Sequence, residues 1–336
     1  MAAGVGELPP ASLILTGYNQ SDLIAAAIVG AFSQDYPDLQ IILTDDRSSD
    51  DTFSRMAAAA RAYQGPHEVL ANQTRVNLGT LGNICDAFAR ARGELIVFAG
   101  GDDISHPHRV QAIAECWLAT RASAFYSRCD VIDESGQVLE RDWKPGSEEL
   151  WLLDYFPEQH VEPLHGASMA CHRSVMERYA TTQIRIRSED AYLTLMLGLD
   201  DQRTEYIDQS LVSYRRHAGA ITNEVPPDPT RAAVAARERT QMRFAQSQLA
   251  LLTLFKGKLR EKGPQFRSAV EPLLDDDLQL FALRAEYESS TLTQRLAALP
   301  AARRRRQLDW LAPRLAGFDL FVAAKTLALA TRSKVR

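Results

Sequence analysis

The feature that most constrains this chain is the regular exchange, over its first hundred residues, of short uninterrupted apolar runs with segments of helical periodicity. Ser12–Thr16 (SLILT), Gln40–Thr44 (QIILT), Glu68–Ala71 and Glu94–Ala99 (ELIVFA) read as strands. Between them Leu23–Phe32, Asp51–Tyr63 and Leu81–Arg92 read as helices of about 10–13 residues, the second capped by Asp50 or Asp51. A strand that is apolar on both faces needs cover on both, and an intervening helix supplies it, so the pattern predicts parallel βαβ units. Ligands of such sheets bind beyond the carboxyl ends of the strands, so the residues just past each strand are the first place to look for chemistry.

Those strand exits are strongly polar. They read Thr16-Gly17-Tyr18-Asn19, Asp45-Asp46-Arg47-Ser48-Ser49-Asp50-Asp51 and Gly100-Gly101-Asp102-Asp103. The stretch TGYNQSD lacks the GxGxxG of a dinucleotide fold, and no GxxxxGK[ST] occurs, so a glycine-cradled phosphate is not the binding principle. Adjacent carboxylates directly after a strand are hard oxygen ligands suited to Mg²⁺ or Mn²⁺ bridged to substrate phosphates. The competing role is helix capping, because Asp103 and Ser105 precede a helix predicted over Val110–Leu118. Gly100 and Gly101 allow a ligand to approach the backbone closely.

Beyond residue 120 the segments are shorter and mixed. Ala124–Arg128, Asp130–Ile132 and Gln137–Leu139 precede an aromatic loop holding Trp143, Trp151, Tyr155 and Phe156, with Trp143, Trp151 and Tyr155 candidates for a sugar platform. A helix over Asp190–Leu199 and two strand-like pieces, Thr204–Asp208 and Leu211–Arg215, follow. The prolines of Glu224–Pro229 break any element, and the chain then reads as helical to its end. This predicts two domains, 1–225 and 226–336.

The net charge of −5 argues against a nucleic-acid binder as a whole. Cys85, Cys116, Cys129 and Cys171 form no CxxC pair and fit a reducing compartment. The N-terminal residues lack the basic region of a signal peptide and no window has the ~18 apolar residues of a membrane span, so a cytoplasmic protein is expected. The last 36 residues carry nine Lys and Arg against Asp309 and Asp319. There Arg303–Arg306 precede Leu308, Leu311, Leu315, Phe318 and Val322 at helical spacing, a pattern that serves equally for a peripheral contact with the inner face of a membrane or for packing against the first domain or a second subunit.

The ordered set SLILTGYNQ, IILTDDRSSDDT, NLGTLGN, ARGELIVFAGGDDIS, HGASM, SEDAYL and LVSYRRH resembles the family 2 glycosyltransferases across residues 11–223, roughly two thirds of the chain. Each motif is weak alone, and seven in order are specific. The resemblance implies an α/β GT-A fold, a mixed and mainly parallel sheet flanked by helices, here with a C-terminal helical extension. It implies an inverting, metal-dependent hexosyltransferase that moves a sugar from a nucleotide sugar, in the usual case a UDP-sugar, to a hydroxyl of a saccharide or lipid-linked acceptor in bacterial surface polysaccharide synthesis.

Position by position, the resemblance puts Thr16 and Tyr18 in the nucleoside pocket and Asp46 on the base. Asn77, Gly79 and Gly101 flank the nucleotide. Asp102, with Asp103, matches the carboxylates of the diphosphate-bound cation, Mn²⁺ or Mg²⁺. Arg216 and His217 match a segment that approaches the pyrophosphate or the metal. Asp190 of the Glu189-Asp190 pair matches the catalytic base, which takes a proton from the acceptor hydroxyl. The chain departs from the family at Gly100, where many relatives carry a further Asp. That loss motivates a second reading, a nucleotide-sugar-binding protein with degenerate catalysis. A nucleotidyltransferase is a third, but the phosphate loop it needs is missing after the first strand.

Overall fold

In the computed structural model the apolar runs become strands of one nine-stranded sheet, ordered β3-β2-β1-β4-β8-β6-β9-β5 with β7 paired to β6. Residues 7–145, 150–156, 159–180, 186, 188–217 and 230–333 are described. The chain divides into two units, residues 1–217 and 218–336. The proline-rich break and the domain boundary predicted at 225/226 lie outside the described residues.

In the first unit β1 (Ala11–Gly17), β2 (Leu39–Asp45), β3 (Glu68–Gln73) and β4 (Leu95–Gly100) are mutually parallel. Helices α1 (Ile24–Phe32), α2 (Thr52–Ala62) and α3 (Thr80–Phe88) connect them. Both faces are dry, as the unbroken apolar runs require: Leu13, Ile41 and Val97 pack with Ile24 and Ile28, while Ile14, Ile42 and Phe98 are buried on the alternate positions. Helix α3 stops at Phe88, short of the predicted Arg92, because the Gly93 backbone is pressed against β1. A Cβ at Gly93 would lie 2.3 Å from the Ser12 nitrogen, and the amides of Arg92 and Gly93 donate to the Ser12 hydroxyl.

The rest of the sheet is mixed. After β5 (Ile104–Ser105) and α4 (Arg109–Thr120) come β6 (Ala124–Ile132), β7 (Val138–Trp143), β8 (Ala170–His172), α5 (Arg173–Tyr179), α6 (Glu189–Leu199) and β9 (Thr204–Arg215). The segments read as two pieces on either side of residue 129, and as two pieces around Gln209, are each one strand. They pair in parallel with a register slip, Ser127 facing Ile207 and Arg128 facing Ser210, and this irregularity interrupts the apolar alternation. Strand β5 pairs antiparallel with β9, Ile104 opposite Ser213, which folds the Asp102-Asp103 exit onto the end of β9.

The second unit is helical: α7 (Arg231–Leu259), α8 (Pro264–Ala285), α9 (Leu292–Ala297), α10 (Leu299–Arg304), α11 (Leu308–Leu311) and α12 (Phe318–Ser333). The amphipathic stripe of the basic tail is largely core. Leu311 packs with Leu280 and Ala301, and Phe318 and Val322 pack with Val234 and Tyr287. Arg305 is buried in an ion pair with Asp277, and Arg304 forks onto Asp276. In the described part of this segment the stripe packs within the second unit itself, against a partner the sequence reading did not name. No helix among the described residues is long and apolar enough to cross a membrane.

Glu238 is the charged centre of this unit. It is 4% exposed and binds Arg314 at 3.0 Å and Lys325 at 2.6 Å. Removing one member of a buried ion cluster leaves its partners uncompensated, so Glu238→Ala is expected to lower stability by about 3–5 kcal/mol, read from the urea unfolding midpoint.

Candidate active site

The first three strand exits frame one polar region. Thr16 Oγ1 donates to the Ala99 carbonyl at 3.3 Å, tying β1 to β4 at their carboxyl ends. Tyr18, one turn farther, is half exposed. Asp45 forms the turn after β2 by accepting the Ser48 amide at 2.9 Å. Asp50 accepts the Thr52 amide at 3.0 Å and so serves the start of α2.

Asp46 is buried and reaches the loop before α3. Its two oxygens accept the amides of Leu78 at 2.7 Å and Gly79 at 2.8 Å, while Asn77 donates to its carbonyl at 3.1 Å. Gly79, at φ +78°, holds a conformation that residues with a Cβ rarely adopt, and this turns its amide to the carboxylate. Asp46, Asn77 and Gly79 are therefore brought together as one clamp. Asp46→Ala would strand these amides and is expected to cost about 1–3 kcal/mol in denaturant unfolding.

At the exit of β4 the backbone is crowded. A Cβ on Gly101 would lie 2.9 Å from the Thr16 carbonyl, so only glycine passes between β1 and β4 here. A Cβ on Gly100 would lie 2.8 Å from Asp102 Oδ1 and 3.0 Å from Asp103 Oδ2. Both carboxylates thus fold back over the Gly100 position. Asp102 Oδ2 lies 3.1 Å from His217 Nε2. Asp103, expected beside them at the cation, is instead buried and accepts the Arg215 amide at 2.8 Å, as the β5–β9 pairing dictates. Neither Asp103 nor Ser105 caps α4, whose cap position is His108. Burial, and then the charge of Asp102, push the Asp103 carboxyl well above the ordinary carboxylate range. Among the described residues no three His, Cys, Asp or Glu side chains converge as a metal cage.

Arg215 stands in the LVSYRRH segment that the resemblance picks out, whereas Arg109 lies outside every motif read from the sequence. Arg215 is 4% exposed and spends its guanidinium on the carbonyls of Asp102, Asp133 and Glu134. Arg109, fully buried, bonds Ser105 and the carbonyls of Phe98 and Met169 beneath the Asp102-Asp103 loop. Burial lowers its pKa to about 10. Arg216 is exposed, its guanidinium 5.4 Å from the centroid of Trp143.

The second acidic group sits at the start of α6. Asp190 Oδ2 accepts the Gly166 amide at 2.9 Å, and Oδ1 accepts the Ala191 amide at 2.8 Å. Glu189 Oε1 and Asp190 Oδ2 converge on Gly166, 3.0 and 3.3 Å from the place a Cβ would take. Burial raises the pKa of Asp190, and burial with the Asp190 charge raises Glu189 to about 8. Both carboxyls of the pair are thus held above their ordinary range, chiefly by burial.

A carboxyl whose folded pKa is raised destabilises the fold as pH climbs from about 4.5 to about 8, because the folded state must give up a proton it holds more tightly than the unfolded chain does. Glutamine mimics the protonated acid. Glu189→Gln should melt with the parent at pH 4 and above it at pH 9 in scanning calorimetry, the gap opening between about 4.5 and about 8.

The proposed aromatic platform does not assemble. Tyr155 is fully buried, its ring set edge-on to those of Trp151 and Phe156. Trp143 lies elsewhere, stacked on Tyr214 with centroids 5.7 Å apart. Aromatic composition alone cannot separate core from platform when no periodicity marks the exposed face.

Residues 12–185 match the model of the family described as Glycosyl transferase family 2. An uncharacterized glycosyltransferase of Nostoc sp. is 28% identical over 216 residues, 61% of this chain and 64% of that protein, so the chain spans less than two thirds of its length. The Escherichia coli protein WfaP, named as a UDP-Glc:α-D-GlcNAc-diphosphoundecaprenol β-1,3-glucosyltransferase, is 24% identical over 222 residues, 63% of this chain and 79% of WfaP. Among solved structures, a mannosyltransferase of Pyrobaculum calidifontis in complex with GDP-Man and Mn²⁺ aligns over 96% of this chain and 88% of its own, with a TM-score of 0.53 and 19% identity. The likeness to that structure is one of fold.

Proposed function

The chain belongs to glycosyltransferase family 2 and has the GT-A fold, and from that premise we propose that it is an inverting glycosyltransferase using a nucleotide-sugar donor, a UDP-sugar first among them. The acceptor is a hydroxyl of a saccharide or lipid-linked glycan in bacterial polysaccharide assembly. The names of relatives support this, WfaP carrying both a UDP-sugar and a diphosphoundecaprenol acceptor in its name. In this reading residues 1–225 form the catalytic domain and 226–336 a helical region.

The observation that carries the proposal is the pair of acidic sites, Asp102 with His217 at the end of β4 and Asp190 on the Gly166 amide at the start of α6. Asp190 takes the acceptor hydroxyl proton as that oxygen bonds to the anomeric carbon. The bond from this carbon to the donor phosphate oxygen breaks, and its electron pair leaves with the nucleoside diphosphate. Burial raises the pKa of Asp190, which makes the carboxylate a stronger base toward the hydroxyl proton. Thr16, Tyr18, Asp46, Asn77, Gly79 and Gly101 frame the nucleoside, and Arg216 contributes positive charge beside the diphosphate.

A divalent cation fits the donors present. Adjacent ligands on an octahedral ion with bonds of about 2.1 Å lie about 3 Å apart, which matches the Asp102 Oδ2 to His217 Nε2 separation of 3.1 Å. Asp102 and His217 are the residues that would hold such an ion. When bound, the ion offsets the charge developing on the leaving diphosphate. A ligand that binds only the folded state raises its melting temperature. A thermal-shift screen of nucleotide sugars, with and without Mn²⁺, should therefore give a UDP-sugar whose shift needs the ion. No shift with any nucleotide sugar contradicts the proposal, and binding without turnover across an acceptor panel favours the degenerate reading.

A further inference from the structure

We infer that His165 is a positioning residue for Asp190: wedged between Trp143 and Tyr214, it fixes the turn whose Gly166 amide holds the Asp190 carboxylate. Its catalytic meaning rests on the reading of Asp190 as base. The imidazole packs edge-on against Trp143, with centroids 5.5 Å apart at 76°, and against Tyr214, at 5.3 Å and 78°. Trp143 and Tyr214 stack on each other, so the three rings form a closed set contributed by β7, β9 and the turn. Edge-to-face pairs contribute about 0.5–1.5 kcal/mol each beyond the area they bury.

The turn itself is tied at several points. Ser168 donates its amide to the His165 carbonyl at 2.9 Å, and the Ser168 hydroxyl lies 3.2 Å from His165 Nδ1. On the α6 side, the Leu164 amide donates to Thr194 Oγ1 at 3.0 Å, and Thr194 in turn donates to the Asp190 carbonyl at 2.7 Å. Leu164 and Gly166 therefore both reach α6, and His165 between them is the residue that reaches the sheet. The ring set also ends at β9, whose next residues are Arg215, Arg216 and His217, with Arg216 lying over Trp143. One rigid piece thus spans the base and the diphosphate side.

Two charges bear on the test. Glu189 faces Asp190 from its own helix, and Arg109 faces the imidazole. Burial, with Arg109, pushes His165 down to about 4, so the ring is neutral at pH 7 and its removal deletes no charge. Any change at Asp190 then reports the lost amide rather than a lost cation.

The experiment uses the full chain labelled with ¹³Cγ-aspartate, the Asp190 signal assigned by its absence in Asp190→Asn. A hydrogen bond to a carboxylate is worth about 1.5–3 kcal/mol, so slackening the turn in His165→Ala should raise the Asp190 midpoint by about one pH unit. His165→Phe keeps the ring contacts and should return the midpoint to the parent value. Trp143→Leu removes one wall of the set and should shift the midpoint the same way as His165→Ala, which keeps the test available if that variant does not fold. Coincident titrations of parent, His165→Ala and Trp143→Leu overturn the inference. So does a His165→Phe midpoint that stays with His165→Ala, because the ring packing is then not what holds the turn. Failure of the base reading has a different signature, undiminished sugar transfer by Asp190→Asn, and leaves the titration free to decide the role of His165.

Discussion

Asp190→Asn is expected to lower kcat for sugar transfer by about 10²–10⁴-fold while leaving the affinity for UDP and Mn²⁺ unchanged, as isothermal calorimetry would measure it. The asymmetry follows from where the residue stands. Asp190 is anchored to the Gly166 and Ala191 amides at the start of α6, whereas the residues assigned to the nucleotide and cation come from the exits of β1, β2, β3, β4 and β9. An amide of the same size keeps the Gly166 bond but cannot take a proton. Transfer at the parent rate would remove Asp190 from the mechanism. A loss of kcat accompanied by an equal loss of UDP affinity would move it to the binding site.

Asp102→Asn should be the second most damaging substitution, with kcat/KM down by about 10²–10³-fold and partly restored by raising the Mn²⁺ concentration. It removes the charge from one of the two donors that lie 3.1 Å apart, and the Gly100 position offers no other acid to replace it. Asp103→Asn tests the division of labour within the pair. Asp103 spends Oδ1 on the Arg215 amide, so this change should act on thermal stability more than on the Mn²⁺ requirement. Equal Mn²⁺ dependence of the two variants would return Asp103 to the cation.

The parallel half of the sheet was legible because its physics is local. A strand buried on both faces writes an unbroken apolar run, and β1, β2 and β4 came out within a residue or two of their limits. The later strands were not, because the slip between β6 and β9 breaks the alternation that marks a strand. At the site, motif order led to Asp102, His217 and Asp190, whose geometry supports the roles proposed for them. It could not place Asp103, whose surroundings are set by the pairing of β5 with β9 rather than by its neighbours in sequence. His165 stands in the HGASM motif, but sequence order gives it no role, because its partners Trp143 and Tyr214 lie on two other strands.

The C-terminal unit teaches the same lesson about charge. The run Arg303–Arg306 looks like a basic patch, yet Arg305 lies in the core with Asp277 and Arg304 is committed to Asp276. Ion pairing between helices α8 and α10 consumes charge that composition assigns to the surface.

The central claim, sugar transfer with inversion using Asp190, is tested most directly by the stereochemistry of the product. Incubating the full chain and Mn²⁺ with a panel of UDP-α-sugars, UDP-glucose and UDP-N-acetylglucosamine included, and following the first sugar released by ¹H NMR before it mutarotates, should show the β anomer from at least one donor and none above background with Asp190→Asn. Initial release of the α anomer, or equal release by Asp190→Asn, would contradict the account.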